Sequence, residues 1–139
     1  MKKMYPVIFT QTADCVLIEV PDLDILTEGK NIEAAIEMAR DAICITIVSL
    51  EDNNQIVPAP SKMSEIQIDL STFAGSGESF VSLVDADVME YRKSIDTRPV
   101  RRNVSLPCWL NREAELAGIN VSKVLQEALM TVLGVTNKY

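Results

Sequence analysis

Arg101, Asn103 and Ser105 occupy every second position of one short segment, Arg98-Pro99-Val100-Arg101-Arg102-Asn103-Val104-Ser105-Leu106-Pro107. Successive side chains of an extended strand point to opposite faces, so these three share a face that is hydrogen-bonding throughout. Val100, Arg102, Val104 and Leu106 take the other face, which is apolar except for Arg102. Arg can pair with guanine O6/N7, Asn with adenine N6/N7 and Ser with either, so the first face has the chemistry to read base edges. One strand is too narrow to fill a groove. Two copies paired antiparallel about a two-fold axis make a ribbon that a major groove admits. The bland alternative for the same three residues is a solvated strand face. Arg102 is assigned to backbone phosphate, with its stem also able to cover apolar neighbours.

The elements that must hold this strand follow directly. Pro107 stops it, and Trp109, Leu110, Ala114 and Ala117 give a short helix an apolar side, with Trp109 expected in the core. Gly118 suits a helix end that needs positive φ. Asn120 then caps a helix over Val121–Leu133. The N–H groups at its start, flanked by Asn120, Val121, Ser122 and Lys123, form a phosphate anchor. Val121, Val124, Leu125, Ala128, Leu129, Val132 and Leu133 make a broad apolar face. Forty residues cannot hide that much surface alone, which implies a homodimer through residues 100–139.

Charge divides the chain. Residues 1–97 carry seven Lys/Arg against seventeen Asp/Glu, a net of −10, whereas residues 98–139 carry six against three, a net of +3. An acidic unit is repelled by phosphates, so it is expected to hold something other than nucleic acid, such as a basic protein. The boundaries read from this are a front domain over 1–93, a linker over 94–99 and a basic module over 100–139.

The front domain reads as α+β. Residues 5–10 (YPVIFT) and 15–20 (CVLIEV) are β-rich runs joined by a short turn, which predicts a hairpin. Pro21-Asp22 ends the second, and a third short strand is expected over 25–27 before Glu28-Gly29. Asn31 is a good N-cap, and Ile32, Ala35, Ile36, Ala39, Ile43, Ile47 and Leu50 repeat at steps of three and four, so a helix of about five turns follows. Asp52-Asn53-Asn54 closes it. Residues 62–78 give little pattern, with Ala74-Gly75-Ser76-Gly77 expected to be mobile. Residues 79–85 return to a strand, and 88–93 to a short helical turn.

Three cysteines, Cys15, Cys44 and Cys108, are widely spaced among apolar residues, which predicts buried reduced thiols in a cytoplasmic protein. No apolar run reaches the roughly 18 residues of a membrane helix, and the start lacks the apolar core and cleavage site of a signal peptide. There is no histidine, which excludes histidine acid–base catalysis and histidine metal ligation. Gly75-Ser76-Gly77 is not a phosphate loop, because no Lys-Ser/Thr follows. No catalytic residue, metal ligand or cofactor is expected.

The basic module resembles a ribbon-helix-helix repressor of the Arc/MetJ kind, through strand–Pro–helix–Gly-Ile-Asn–helix and Leu125-Gln126-Glu127-Ala128-Leu129. The resemblance gives the base-reading role to Arg101, Asn103 and Ser105 and the phosphate role to the start at residues 120–122. The first helix is about a turn shorter than in most such repressors. A helix-turn-helix reading, pairing residues 114–118 with 120–125, therefore stays open, with the strand before Pro107 arguing against it.

The whole chain also resembles the HicB antitoxin family. The matching stretches are YPVIFT, the PDL of Pro21–Leu23, EAAIEMARDAI, the LED beginning at Leu50, the PAPS loop, FVSLVDADVMEYRK and WLNREAELAGINVSKVLQEAL, in order along nearly the full length. This resemblance implies a partial, inactive RNase-H-like domain that masks a HicA-like ribonuclease toxin, joined to a tail that represses its own operon by binding operator DNA. Nothing in the residues locates the toxin-binding surface.

Two other classes compete. One is a metabolite-responsive repressor without a toxin partner. The other is a metal-dependent nuclease, which needs carboxylates such as Asp14, Glu19, Asp22, Asp24, Asp41, Asp85 and Asp87 to cluster about metal ions.

Overall fold

A computed structural model describes residues 2–96 and 98–135. The chain is mixed α+β and divides after Arg98 into two compact units. No helix among the described residues is long and apolar enough to cross a membrane.

The front unit is a four-stranded antiparallel sheet with one long helix against a face. Its strands are β1 (Lys2–Gln11), β2 (Val16–Val20), β3 (Ile25–Gly29) and β4 (Glu78–Asp87), in the order β3-β2-β1-β4. The expected hairpin joins β1 to β2, with Gln11 opposite Val16. The Thr12 N–H donates to the Cys15 carbonyl at 2.9 Å, which closes the turn. Pro6 lies where β2 pairing has already stopped, since that register begins at Ile8 opposite Glu19. One flank of β1 there has no ladder for a missing N–H to break. β1 is buried from Tyr5 to Thr10 because both its faces are covered. β2 instead alternates buried and half-buried residues.

Helix α1 (Ile32–Asp52) starts at the expected cap, the Asn31 side chain accepting from the Ala34 N–H at 2.8 Å. Its stripe Ala35, Ala39, Ile43 and Ile47 is fully buried against Tyr5, Val7, Phe9, Val16, Ile18, Val20 and Val84. The β-branched run after Ile43 stays helical because Ile43 and Ile47 fall on the buried stripe, four residues apart. Residues 62–78 hold two single 3-10 turns, Met63–Glu65 and Ile68–Leu70, before β4. The loop leading to them is latched by Tyr5 Oη–H donating to the Pro58 carbonyl at 2.6 Å and by Ser61 Oγ–H donating to Asp22 at 2.6 Å.

Gly29 lets α1 begin close against β3. A Cβ at this position would sit 2.6 Å from the Ala35 nitrogen and 2.7 Å from its Cα, both backbone atoms. Gly29→Ala is therefore expected to destabilise the front unit by about 1–3 kcal/mol, as overpacking does. Urea unfolding monitored by circular dichroism measures it.

The strand β4 is longer than the 79–85 expected, and α2 (Val88–Ile95) runs past residue 93, capped by Asp87 accepting from the Glu90 N–H at 3.1 Å. Cys44 is buried, but Cys15 is only half-buried and Cys108 is exposed. The expectation of three buried thiols is thus corrected for two. Cys15 lies at the hairpin turn, and Cys108 opens a helix with its side chain exposed. All three are free thiols.

The second unit holds α3 (Cys108–Leu116) and α4 (Val121–Leu133). Gly118 joins them at φ 68°, and Gly134 ends α4 with the same angle. The segment expected as a strand, residues 98–107, forms neither helix nor strand. A strand is recognised by its ladder, and among the described residues this unit contains no second strand for the segment to pair with.

Candidate functional site

Within the second unit the start of the expected strand lies against α4. Val100, Arg101 and Arg102 line one cleft of about 410 Å³ with Ser122, Leu125, Gln126 and Leu129. Ser122 and Gln126, like Leu125 and Leu129, stand one helical turn apart on the same side. Gln126 was not singled out by the sequence reading, although its four-residue spacing from Ser122 was the available signal. Strict alternation would send Arg101 and Arg102 to opposite faces, yet both line this cleft. Outside a ladder nothing enforces the pleat. Asn103 and Ser105 are exposed and are not among the lining residues.

Asn120 caps α4, its Oδ1 accepting from the Lys123 N–H at 3.2 Å. Among the described residues, the N–H groups of Val121 and Ser122 meet no acceptor. Two free donors thus sit at the positive end of a 13-residue helix, the arrangement that favours a phosphate. Arg101, Arg102, Arg112 and Lys123 make no ion pair with the described residues, while Arg98 is engaged by Asp96 at 3.0 Å. The unit therefore presents cations that no carboxylate of its own neutralises.

No residue from 99 to 135 is buried. Trp109 is 68% exposed, which corrects its placement in the core: in one copy of this unit there is no core to enter. Leu110, Leu116, Val124, Leu129, Val132 and Leu133 are exposed with it. The helices carry the apolar side that their spacing required, and a single chain leaves it in water.

The acidic residues of the front unit are spread over its surface. Asp22 accepts from Ser61, Glu19 accepts from the Thr72 N–H and Oγ1–H at 2.9 and 3.0 Å, and Asp87 caps α2. Asp85 accepts from Arg40 at 2.9 Å, and that bond holds its carboxyl below the usual carboxylate range. Among the described residues, no three His, Cys, Asp or Glu side chains come together as a metal site would require.

Against known proteins, residues 5–127 match the profile described as HicB-like antitoxin of bacterial toxin–antitoxin systems. No curated protein matches the chain. Among solved structures, a chain of a toxin–antitoxin complex from Streptococcus pneumoniae is 24% identical with a TM-score of 0.59, the match covering 94% of this chain and 99% of that one. The antitoxin HicB from Burkholderia pseudomallei is 22% identical with a TM-score of 0.49, over 95% and 97% of the two chains. The first likeness is one of fold.

Proposed function

The chain belongs to the family of HicB-like antitoxins of bacterial toxin–antitoxin systems, and from that premise we propose that it neutralises a HicA-like ribonuclease toxin by binding and represses its own operon. The family match over residues 5–127 carries this reading. In it the front unit is a partial RNase-H-like layer that acts by occupation, not by catalysis, and takes no cofactor. The net charge of −10 over residues 1–97 complements a basic RNA-cutting partner. The protein works in the cytoplasm, where such a partner meets RNA.

The second unit acts as a ribbon-helix-helix dimer on operator DNA. Its uncovered apolar side supports a second copy as the missing half of its core. Pairing with that copy supplies residues 100–106 with the ladder that one chain lacks. Arg101, Asn103 and Ser105 then read base edges, while Arg102 and the α4 start at Asn120, Val121, Ser122 and Lys123 hold phosphates. The cleft joining Arg101 and Arg102 to Ser122 supports one shared DNA-facing site.

Co-expression with the product of the adjacent small gene tests the antitoxin reading. The neighbour is expected to arrest growth alone, and this chain to relieve the arrest and co-elute with it in size-exclusion chromatography. A neighbour that is harmless or unbound sinks the reading and leaves a repressor whose front unit answers to another ligand.

A further inference from the structure

The front unit's charge is unevenly compensated over its surface. Lys2, Arg40, Arg92 and Lys93 are tied to Asp85, Glu51, Asp52 and Glu90, carboxylates on β4, α1 and α2. The face of β2 and β3 turned away from α1 is different. Val16, Ile18 and Val20 point to the core, so Leu17 and Glu19 point outward. On β3, Leu26 and Glu28 are exposed beside them. The register sets Leu17 opposite Glu28 and Glu19 opposite Leu26. Two leucines and two glutamates therefore alternate as a chequerboard across two strands, and neither glutamate has a cation within 4 Å among the described residues.

The ground beside this chequerboard is shaped. Two depressions of about 280 and 340 Å³ share Glu19 and Pro21 as a common wall, the first also reaching Asp24 and Leu26 and the second Glu65 and Leu70. No lysine or arginine lines either one. Leu26 is 54% exposed and Leu70 is 79% exposed. Thr72 holds the Glu19 carboxylate with two hydrogen bonds, so the wall between the depressions is fixed.

We propose that this outer β2–β3 face, flanked by the two depressions, is where the front unit docks its basic protein partner. The partner's lysine or arginine heads sit against Glu19, Asp24 and Glu28, and their aliphatic stems lie along Leu26 and Leu70. Charge selects the occupant. A second front unit brings another excess of carboxylates and nucleic acid brings phosphates, and both are repelled by uncompensated carboxylates. The α1 face also keeps Glu33, Glu37 and Asp41 outside any ion pair among the described residues, but these line neither depression. This assignment rests on the antitoxin reading above and locates the surface that reading leaves open.

Titration calorimetry on the full-length chain with the purified adjacent-gene product tests it. The variant Leu26→Lys/Glu28→Lys changes only exposed side chains, so its melting temperature should match wild type. Its binding is expected to weaken by about tenfold or more, since it reverses a charge and removes an apolar contact. A control, Met38→Lys/Ile45→Lys, places two new lysines on the exposed side of α1 and should bind like wild type. Equal binding by the β2–β3 variant, or loss only in the α1 control, overturns this surface while the antitoxin reading stands. A wild-type chain that does not bind the product overturns both.

Discussion

Leu129→Glu is expected to abolish both dimerisation and operator binding while leaving the front unit folded. Leu129 lies on α4 in the cleft with Leu125 and is 51% exposed in one chain. In the proposed dimer a second copy covers it, and a glutamate there is a buried charge without a partner. Removing one partner from a buried pair costs about 3–5 kcal/mol, and a lone carboxylate between apolar helices starts from that deficit. A unit with no buried residue among those described has no reserve to absorb it. The proposed ribbon would also be lost, because in that dimer each strand is the other's ladder. Sedimentation should report a shifted monomer–dimer equilibrium, and a gel-shift assay on the promoter should report no complex. Arg101→Ala separates reading from assembly. It should keep the dimer and weaken operator binding by about 1–3 kcal/mol, the worth of one bidentate base contact. Wild-type affinity in Arg101→Ala would remove Arg101 from the base-reading role, and an intact dimer in Leu129→Glu would remove α4 from the interface.

The second large effect falls on the front unit. Ile43→Ala is expected to lower its stability by about 2–5 kcal/mol, the range for truncating a fully buried aliphatic side chain. Ile43 is wholly inaccessible, central on α1, and part of the cluster that joins the helix to all four strands. For a unit of this size such a loss moves the melting temperature by roughly 10–30 °C. The effect should be confined to the unfolding transition of the front unit, because the chain divides after Arg98 into separate compact units. The exposed Ile45, two positions on along the same helix, should tolerate Ala within about 0.5 kcal/mol. Differential scanning calorimetry of the three proteins compares them directly.

The parts of the chain that one segment settles by itself were legible in the residues. The 3.6-residue spacing from Ile32 to Leu50 demanded a long helix, and Asn31 marked its start through a cap that involves only its own first turn. Asn120 and Gly118 did the same for the second unit, since caps and positive-φ turns are local. The β1–β2 hairpin followed from two β-rich runs and a short gap. The positions named for DNA contact came from alternation and chemistry. The cleft brings three of them together, Arg101, Arg102 and Ser122, while Asn103 and Ser105 lie outside it.

What the residues alone determined, then, was periodicity, capping and the division of charge, because each is set by neighbours in sequence or by simple summation. Only the tertiary structure decided which partner each strand takes, as in the 79–85 run becoming a ten-residue β4 beside β1. It also decided that Glu19 and Glu28 share an outer face with Leu17 and Leu26, which is a matter of register between strands. Trp109 and Cys108 mark the boundary between the two kinds of knowledge. Their apolar character is written in the sequence, but burial requires a second surface, and the second unit of one chain does not contain it.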